Sequence, residues 1–434
     1  MNVYDAAKQR IEYIFSKFDN VYIAFSGGKD SGTLVNLVYD FLRSPAGAGK
    51  KCTTLFIDLE GHYKRTHDFS WKLMMDNAHL ATPMWICLPM RSWNTVSMHE
   101  TWWKFWDPEK KDKWVRPMPE SEYVINSDNN PFGRFWHEGI TFEDFITEFG
   151  DWFAKENGGK CAGLVGIRTQ ESLNRWRALN RDDVSRFENV KYSVVKTDLT
   201  VNFYPIYDWT VEDIWTYHAK TAAPYNETYD QFYKAGVALG KMRICEPFGD
   251  EQKAGLNMFR IIEPETWGRL LDRVSGVNFG NIYCGTKAIG SADMTLPAGH
   301  TWKSYCKFLM KTLPTATRDN YMSRFVKYIK YWHYTGSPML PQHIKEIPAG
   351  AAVNTEKFSK RGRGEKHVVK FNKILDDLPA IYTKCDVPTW KKFCSVILAN
   401  DITCKRLGFA ITKHQRDLRK EALKKYARKK EISK

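Results

Sequence analysis

No apolar run in this 434-residue chain approaches the roughly 20 residues that a helical membrane span requires. That excludes an anchor of that type, and no membrane partner is expected. No secretory leader is visible: the opening "MNVYDAAKQRIEYIF" carries acids in an amphipathic helical pattern. The nine cysteines are odd in number and include no C-x-x-C pair. Their spacing argues against a disulfide framework and against an iron–sulfur cluster, and it predicts a cytoplasmic protein. Cys245, Cys284, His300 and Cys306 follow no standard zinc spacing, so no zinc site is predicted there. Internal repeats are absent, and so is the G-x-x-x-x-G-K-[ST] phosphate loop.

What remains is a globular composition, 43% apolar and 14% aromatic with sixteen tryptophans, in a chain long enough for two domains. The net charge of +15 is uneven: residues 405–434 carry twelve Lys or Arg against three acids, a net +9. That basic tail, helical in pattern over 413–430, suits a nucleic acid or another polyanion. A protein partner and plain solvation of the helix are the competing readings.

Periodicity predicts a helix over residues 1–20, a strand at 21–25, a helix at 31–43 and a strand at 52–60. A helix at 63–77 and a strand at 83–90 follow, which makes a βαβ alternation and a mostly parallel sheet with flanking helices. Residues 91–150 interrupt it with a Trp-rich insertion centred on "WWKFWDPEKKDKWVRPMP", read as the rim of a pocket or an interface before a nucleic-acid platform. Alternation resumes at 161–172, and Thr210 with Asp213 forms a capping-box pattern ahead of a helix. Beyond about 235 helical periodicities dominate. The expected organisation is an α/β domain over 1–235, a mainly helical region over 236–404 and the tail over 405–434.

The chemistry concentrates in "VYIAFSGGKDSGTLVNLV", residues 21–38, where a strand hands over to a helix. Gly27 and Gly28 let a ligand approach the backbone, Ser26 and Ser31 bring hydroxyls, and Lys29 brings a charge. A helix N-terminus there presents free N–H groups, which suits phosphate. Asp30 is the odd member, because a carboxylate beside phosphate repels it unless Mg²⁺ bridges the two or the carboxylate caps backbone donors.

Four segments in order resemble the phosphoadenosine phosphosulfate (PAPS) reductase family of the PP-loop ATP pyrophosphatase superfamily, the adenine nucleotide α-hydrolase-like proteins. They are "SGGKDS" (26–31), "LFIDLEGHY" (55–63), "GIRTQESLNR" (166–175) and "YPIYDWTVEDIWTY" (204–217). The resemblance implies an adenine nucleotide, ATP or PAPS, held by Ser26, Gly27, Gly28, Lys29, Asp30 and Ser31. It places Asp58, Arg168, Glu171, Ser172 and Arg175 near the nucleotide, with Mg²⁺ at Asp30. Trp209 and Trp215 of the fourth segment are read as core. Residues 225–256 and 261–276 resemble the uncharacterised domain attached to bacterial or phage proteins of the immunoglobulin-binding regulator A type.

One departure redirects the expected chemistry. The Glu-Cys-Gly-Leu-His motif, whose cysteine attacks sulfur in PAPS reductases, has no counterpart here, and the last cysteine, Cys404, sits in "DITCKRLGF". Thiol-based reduction is therefore disfavoured. The superfamily's other reaction is expected: ATP cleaved between its α and β phosphates, an acceptor adenylylated and pyrophosphate released. Lys29, Asp30, Arg168 and Arg175 are the candidate catalytic residues.

Overall fold

The structure is a computed structural model and describes residues 2–180, 185–244, 246–249, 255–277, 294–358, 366–379 and 387–409. The chain divides into two compact units, residues 1–94 with 102–278, and residues 95–101 with those from 279 onward.

In the first unit, helix α1 (Val3–Lys17) buries Ala7, Ile11, Ile14 and Phe15, one face of a 3.6-residue period, and leads into β1 (Asn20–Phe25). Next come α2 (Lys29–Arg43), β2 (Thr53–Ile57), α3 (Lys64–Met75) and β3 (Thr82–Ile86). The insertion contributes a small antiparallel pair, β4 (Arg91–Trp93) with β5 (Trp102–Lys104), and then β6 (Val124–Ile125). It is followed by α4 (Phe142–Glu156), β7 (Cys161–Val165), α5 (Leu173–Asn180), β8 (Ser193–Val195) and β9 (Thr200–Phe203). Helices α6 (Val211–Thr221) and α7 (Thr228–Lys234) follow, and the Thr210–Asp213 capping box is formed.

The seven strands run β6-β3-β2-β1-β7-β9-β8, all parallel except the β8–β9 pair. The mostly parallel sheet expected from the alternation is present. Strand β1 is central, and the chain order reverses on either side of it. A ligand in such a sheet binds beyond the carboxyl ends of the strands at that reversal, and the turn 26–28 lies there. Ile23, Phe25, Phe56, Trp85 and Leu164 of the sheet are buried, as are Leu34, Leu37 and Val38 of α2. Trp209 is buried too and donates to Val3 O at 3.1 Å, as expected of a core tryptophan.

The first unit runs past residue 235. Helices α8 (Leu256–Ile262) and α9 (Pro264–Arg273) belong to it; α9 buries Trp267 and Leu270, and its last residue, Arg273, forms a buried ion pair with Glu60. The second unit packs α10 (Trp302–Thr312), α11 (Thr315–Lys330) and α12 (Trp390–Leu398) around Tyr321, Phe325, Tyr328, Trp332 and Phe393. The expected helical region thus also holds a three-stranded antiparallel sheet, β10 (Ser337–Met339), β12 (His367–Phe371) and β11 (Ala352–Phe358) in that order. Their sequences, SPM, AVNTEKF and HVVKF, lack the sustained apolar alternation by which periodicity marks a strand. Segment 95–101 joins this unit through Asn400, which donates to Thr95 O at 2.9 Å, and Thr317, which donates to Met98 O at 2.8 Å. Most of the basic tail lies outside the described residues.

Candidate nucleotide-binding site

The turn after β1 is folded back on itself by its own serines. Ser26 N–H donates to Ser31 Oγ at 3.2 Å, the two hydroxyl oxygens lie 3.0 Å apart, and Ser31 Oγ–H donates to Gly28 O at 3.2 Å. Gly27 takes φ +72°, and a Cβ there would stand 2.6 Å from Ser70 Oγ and 2.7 Å from the Thr66 methyl. Asn226 fixes the turn from outside, donating to Gly27 O at 2.8 Å and to Thr66 Oγ1 at 2.9 Å. Gly28 is the N-cap of α2 and supplies no side-chain cap. The Tyr229 hydroxyl accepts from Lys29 N–H at 3.0 Å. Among the described residues, the N–H groups of Gly27, Gly28, Asp30 and Ser31 have no acceptor. Four donors without an acceptor at the positive end of a fifteen-residue helix are a candidate anion cradle.

The charges around this cradle are mutually arranged. Asp30 Oδ1 accepts from Arg168 Nε at 2.6 Å, and its Oδ2 lies 3.3 Å from Lys29 Nζ. Both oxygens of the aspartate are thus occupied by cations. Arg168 is buried at the end of β7, where Gly166 lets the backbone pass α2: a Cβ at Gly166 would sit 2.8 Å from Ser31 Cα. Burial pushes the Lys29 ammonium below its ordinary pKa; Asp30 opposes this, and Arg168 and Arg243 add to it. A phosphate in the cradle would relieve that cost.

The remaining candidates are placed less directly. Glu171 pairs with Arg175 one turn on, and Ser172 Oγ accepts from Arg175 N–H at 3.2 Å at the start of α5. Arg168 and Arg175 do not share a helix, since a 3₁₀ turn at 169–171 separates Arg168 from α5. Asp58 is fully buried beyond β2, and its partners all lie outside the 26–31 turn. Trp85 Nε1 donates to it at 2.9 Å, Glu60 N–H donates at 2.9 Å, and Arg116 forms an ion pair with it. Burial alone would raise the Asp58 pKa, but Arg116 foremost holds it below the usual carboxylate value. Next to it, Glu60 accepts from Trp106 N–H at 2.6 Å, Val115 N–H at 3.1 Å and Arg273 Nε at 2.7 Å. The tryptophan insertion is thereby tied to the carboxyl end of β2.

The residues that sequence reasoning did not single out come from the stretch after α6: Asn226, Tyr229 and Arg243, the last donating to Glu171 O at 3.3 Å. Nearby, Glu246 Oε1 accepts from Trp103 Nε1 and from Phe248 N–H, each at 2.9 Å, and burial pushes this carboxyl up to about 8.

Among the described residues, no group of three His, Cys, Asp or Glu is arranged to hold a metal. With both oxygens of Asp30 occupied, the donor set does not fit a Mg²⁺ held by protein alone. The six described cysteines, Cys52, Cys87, Cys161, Cys306, Cys394 and Cys404, are all buried. Burial raises Cys161 to about 11 and Cys404 to about 12, which disfavours a thiolate at either. Cys245, Cys284 and Cys385 lie outside the described residues, as does the spacing question raised by Cys245 and Cys284.

A central parallel sheet whose middle strand ends in an unpaired-amide cradle defines a nucleotide-binding α/β protein. The chain belongs to the phosphoadenosine phosphosulfate reductase domain family, whose profile matches residues 20–240; a domain of unknown function, DUF3440, matches residues 236–418. It is 32% identical over 418 residues to the uncharacterized protein YbdN of Escherichia coli (strain K12), covering 95% of this chain and 92% of that one. An adenosine 5'-phosphosulfate reductase of Lysinibacillus sphaericus (strain C3-41) is 26% identical over 22% of this chain and 43% of its own. Among solved structures, a PAPS reductase from Candida auris in a phosphate complex matches 55% of this chain and 87% of its own, at 15% identity and a TM-score of 0.30. An FMN adenylyltransferase from Candida glabrata matches 52% and 59% at 16% identity and a TM-score of 0.30.

Proposed function

We propose that the protein binds ATP with its phosphates on the 26–31 turn and transfers the adenylyl group to an acceptor. The acceptor's nucleophile forms a bond to the α phosphorus. The bond from that phosphorus to the α–β bridging oxygen breaks, and pyrophosphate leaves with the electron pair. Charge then grows on the leaving pyrophosphate, where preorganised N–H donors stabilise it most. The observation that carries this reading is the set of four unpaired N–H groups, at Gly27, Gly28, Asp30 and Ser31, flanked by Lys29. Lys29 serves as the phosphate cation, and Asp30 and Arg168 act by positioning it. Mg²⁺ accompanies the nucleotide in the assay, and no step is routed through it. The described cysteines, all buried, offer no accessible nucleophile for a reductase.

The test incubates purified protein with Mg²⁺-ATP and cell extract and measures pyrophosphate. Release is expected from wild type and is expected to be lost in the Lys29→Ala/Asp30→Ala variant. No release, together with tight binding of PAPS, would sink the reading. Family membership favours that alternative: PAPS as substrate, with Cys245, Cys284 or Cys385 as the thiol. The Cys→Ser variants separate the two, since a reductase would lose activity in one of them and an adenylyltransferase in none. The basic tail supports a further reading, a nucleotide-dependent regulator that binds nucleic acid. Deleting residues 413–434 should then flatten the salt dependence of DNA binding; an unchanged slope means the tail is not a nucleic-acid arm.

A further inference from the structure

The first unit holds a second, open recess, a cavity of about 890 Å³ lined by the tryptophan insertion and by Arg269 of α9. Its volume falls within the range of small-molecule sites, roughly 300–1,000 Å³. It opens beside β6, on the sheet edge three strands from β1, or about 14 Å at ordinary strand spacing. The lining pairs aromatic faces with cations: the Arg116 guanidinium lies 5.3 Å from the Trp106 ring centre, and Lys111 Nζ lies 5.8 Å from that of Trp114. Arg116 is committed to Asp58 and to Glu60 O and forms the inner wall. Lys111 and Arg269 are exposed and make no ion pair with any described residue. With Arg116 neutralised by Asp58, the two remaining lining cations, Lys111 and Arg269, are matched in number by Glu120 and Asp128.

We infer that this cavity binds a planar aromatic anion, stacked on Trp114 and held through its negative group by Lys111 and Arg269. Stacking on indole is tolerant of ring identity, whereas the paired cations select for charge. The cavity combines residues from both family-matched segments, Arg269 lying within 236–418 and the others within 20–240. The cavity and the 26–31 turn belong to the same unit, which makes the ligand a candidate for the adenylyl acceptor; that role rests on the proposed function, while the binding itself does not.

Equilibrium dialysis of the full chain with 2-naphthoate, 2-naphthamide and cyclohexanecarboxylate tests the site. Saturable binding of 2-naphthoate is expected, with the neutral amide and the non-aromatic acid each at least about tenfold weaker. The Lys111→Gln/Arg269→Gln variant, changed only at exposed positions, should weaken 2-naphthoate by at least about tenfold while leaving ATP affinity unchanged. Equal binding of acid and amide, wild-type affinity in the double variant, or no binding at millimolar naphthoate each overturns the inference. Lys29→Ala should leave naphthoate binding intact, so a protein that fails to bind ATP yet binds naphthoate refutes the nucleotide reading alone.

Discussion

Replacing Gly27 by alanine tests the geometry on which the nucleotide cradle depends. At φ +72° an alanine sits in the left-handed region, which costs about 1–2 kcal/mol. Its Cβ would also fall 2.6 Å from Ser70 Oγ and 2.7 Å from the Thr66 methyl, and both side chains are fully buried. Overpacking of that kind adds roughly 1–3 kcal/mol. The turn cannot rotate away cheaply, because Asn226 holds the carbonyl of Gly27 at 2.8 Å. The total is about 3 kcal/mol, read as a shift in the urea midpoint followed by tryptophan fluorescence. Gly28→Ala is the control: its φ is −78° and its nearest neighbour would be Ser26 Oγ at 3.4 Å, so the loss should stay within about 1 kcal/mol. Under the proposed function, ATP affinity should also fall with Gly27→Ala under fully native conditions, because the clash with Ser70 and Thr66 displaces the turn that carries the N–H donors. If the two variants unfold at the same urea concentration, the turn is not built as described.

Three further outcomes follow from buried charges in the first unit. Arg273→Met leaves the Glu60 carboxylate without its cation and should destabilise by about 3–5 kcal/mol, and adding Glu60→Gln, which removes the charge and keeps an acceptor oxygen for the buried N–H groups of Trp106 and Val115, should recover part of that loss. Strict additivity in the double variant would show that the pair is not coupled. Glu246, raised to about 8 from 4.5, binds a proton in the folded chain that the unfolded chain has already lost, so it erodes stability as pH rises through that window. Glu246→Gln should therefore raise the melting temperature more at pH about 8.5 than at pH about 5, and a pH-independent difference refutes it. His62 behaves oppositely: burial lowers it from 6.5 to about 4, so the stability of its neutral form is complete above the higher value and lost as pH falls toward the lower. His62→Gln should flatten acid unfolding over that range, and an unchanged pH profile would mean another group carries it.

Much of the geometry of the 26–31 turn was legible because it is local. The glycines and serines of 26–31 lie within one turn, and their demands for positive φ, close approach and unpaired amides are properties of neighbouring residues. The parallel sheet was legible for the same reason, each strand and helix carrying its own period. Asn226 and Tyr229 were not, although they hold the carbonyl of Gly27 and the N–H of Lys29. They lie some 200 residues away, and the resemblance of residues 225–256 to an uncharacterised domain carried no residue roles. Asp58 shows the opposite limit: its place beyond a strand was readable, but its commitment to Arg116 depends on a Pro-rich insertion folding back over β2.

The aspartate in the phosphate turn, the least explicable residue of the sequence, becomes consistent once the distant cations are in place. Arg168 reaches its Oδ1 and Lys29 its Oδ2, so the three side chains together carry a net positive charge beside the unpaired amides. Lys29 and Arg168 would otherwise be two unpaired buried cations, and removing a partner from such a group costs several kcal/mol, about 3–5. Asp30 is therefore what lets two cations stand together at the mouth of a helix, and under the proposed function a polyphosphate there would meet N–H donors and a lysine already oriented. The two cations on the carboxylate reconcile it with the proposed phosphate, and Asp30→Asn should accordingly lower the urea midpoint before it weakens nucleotide affinity.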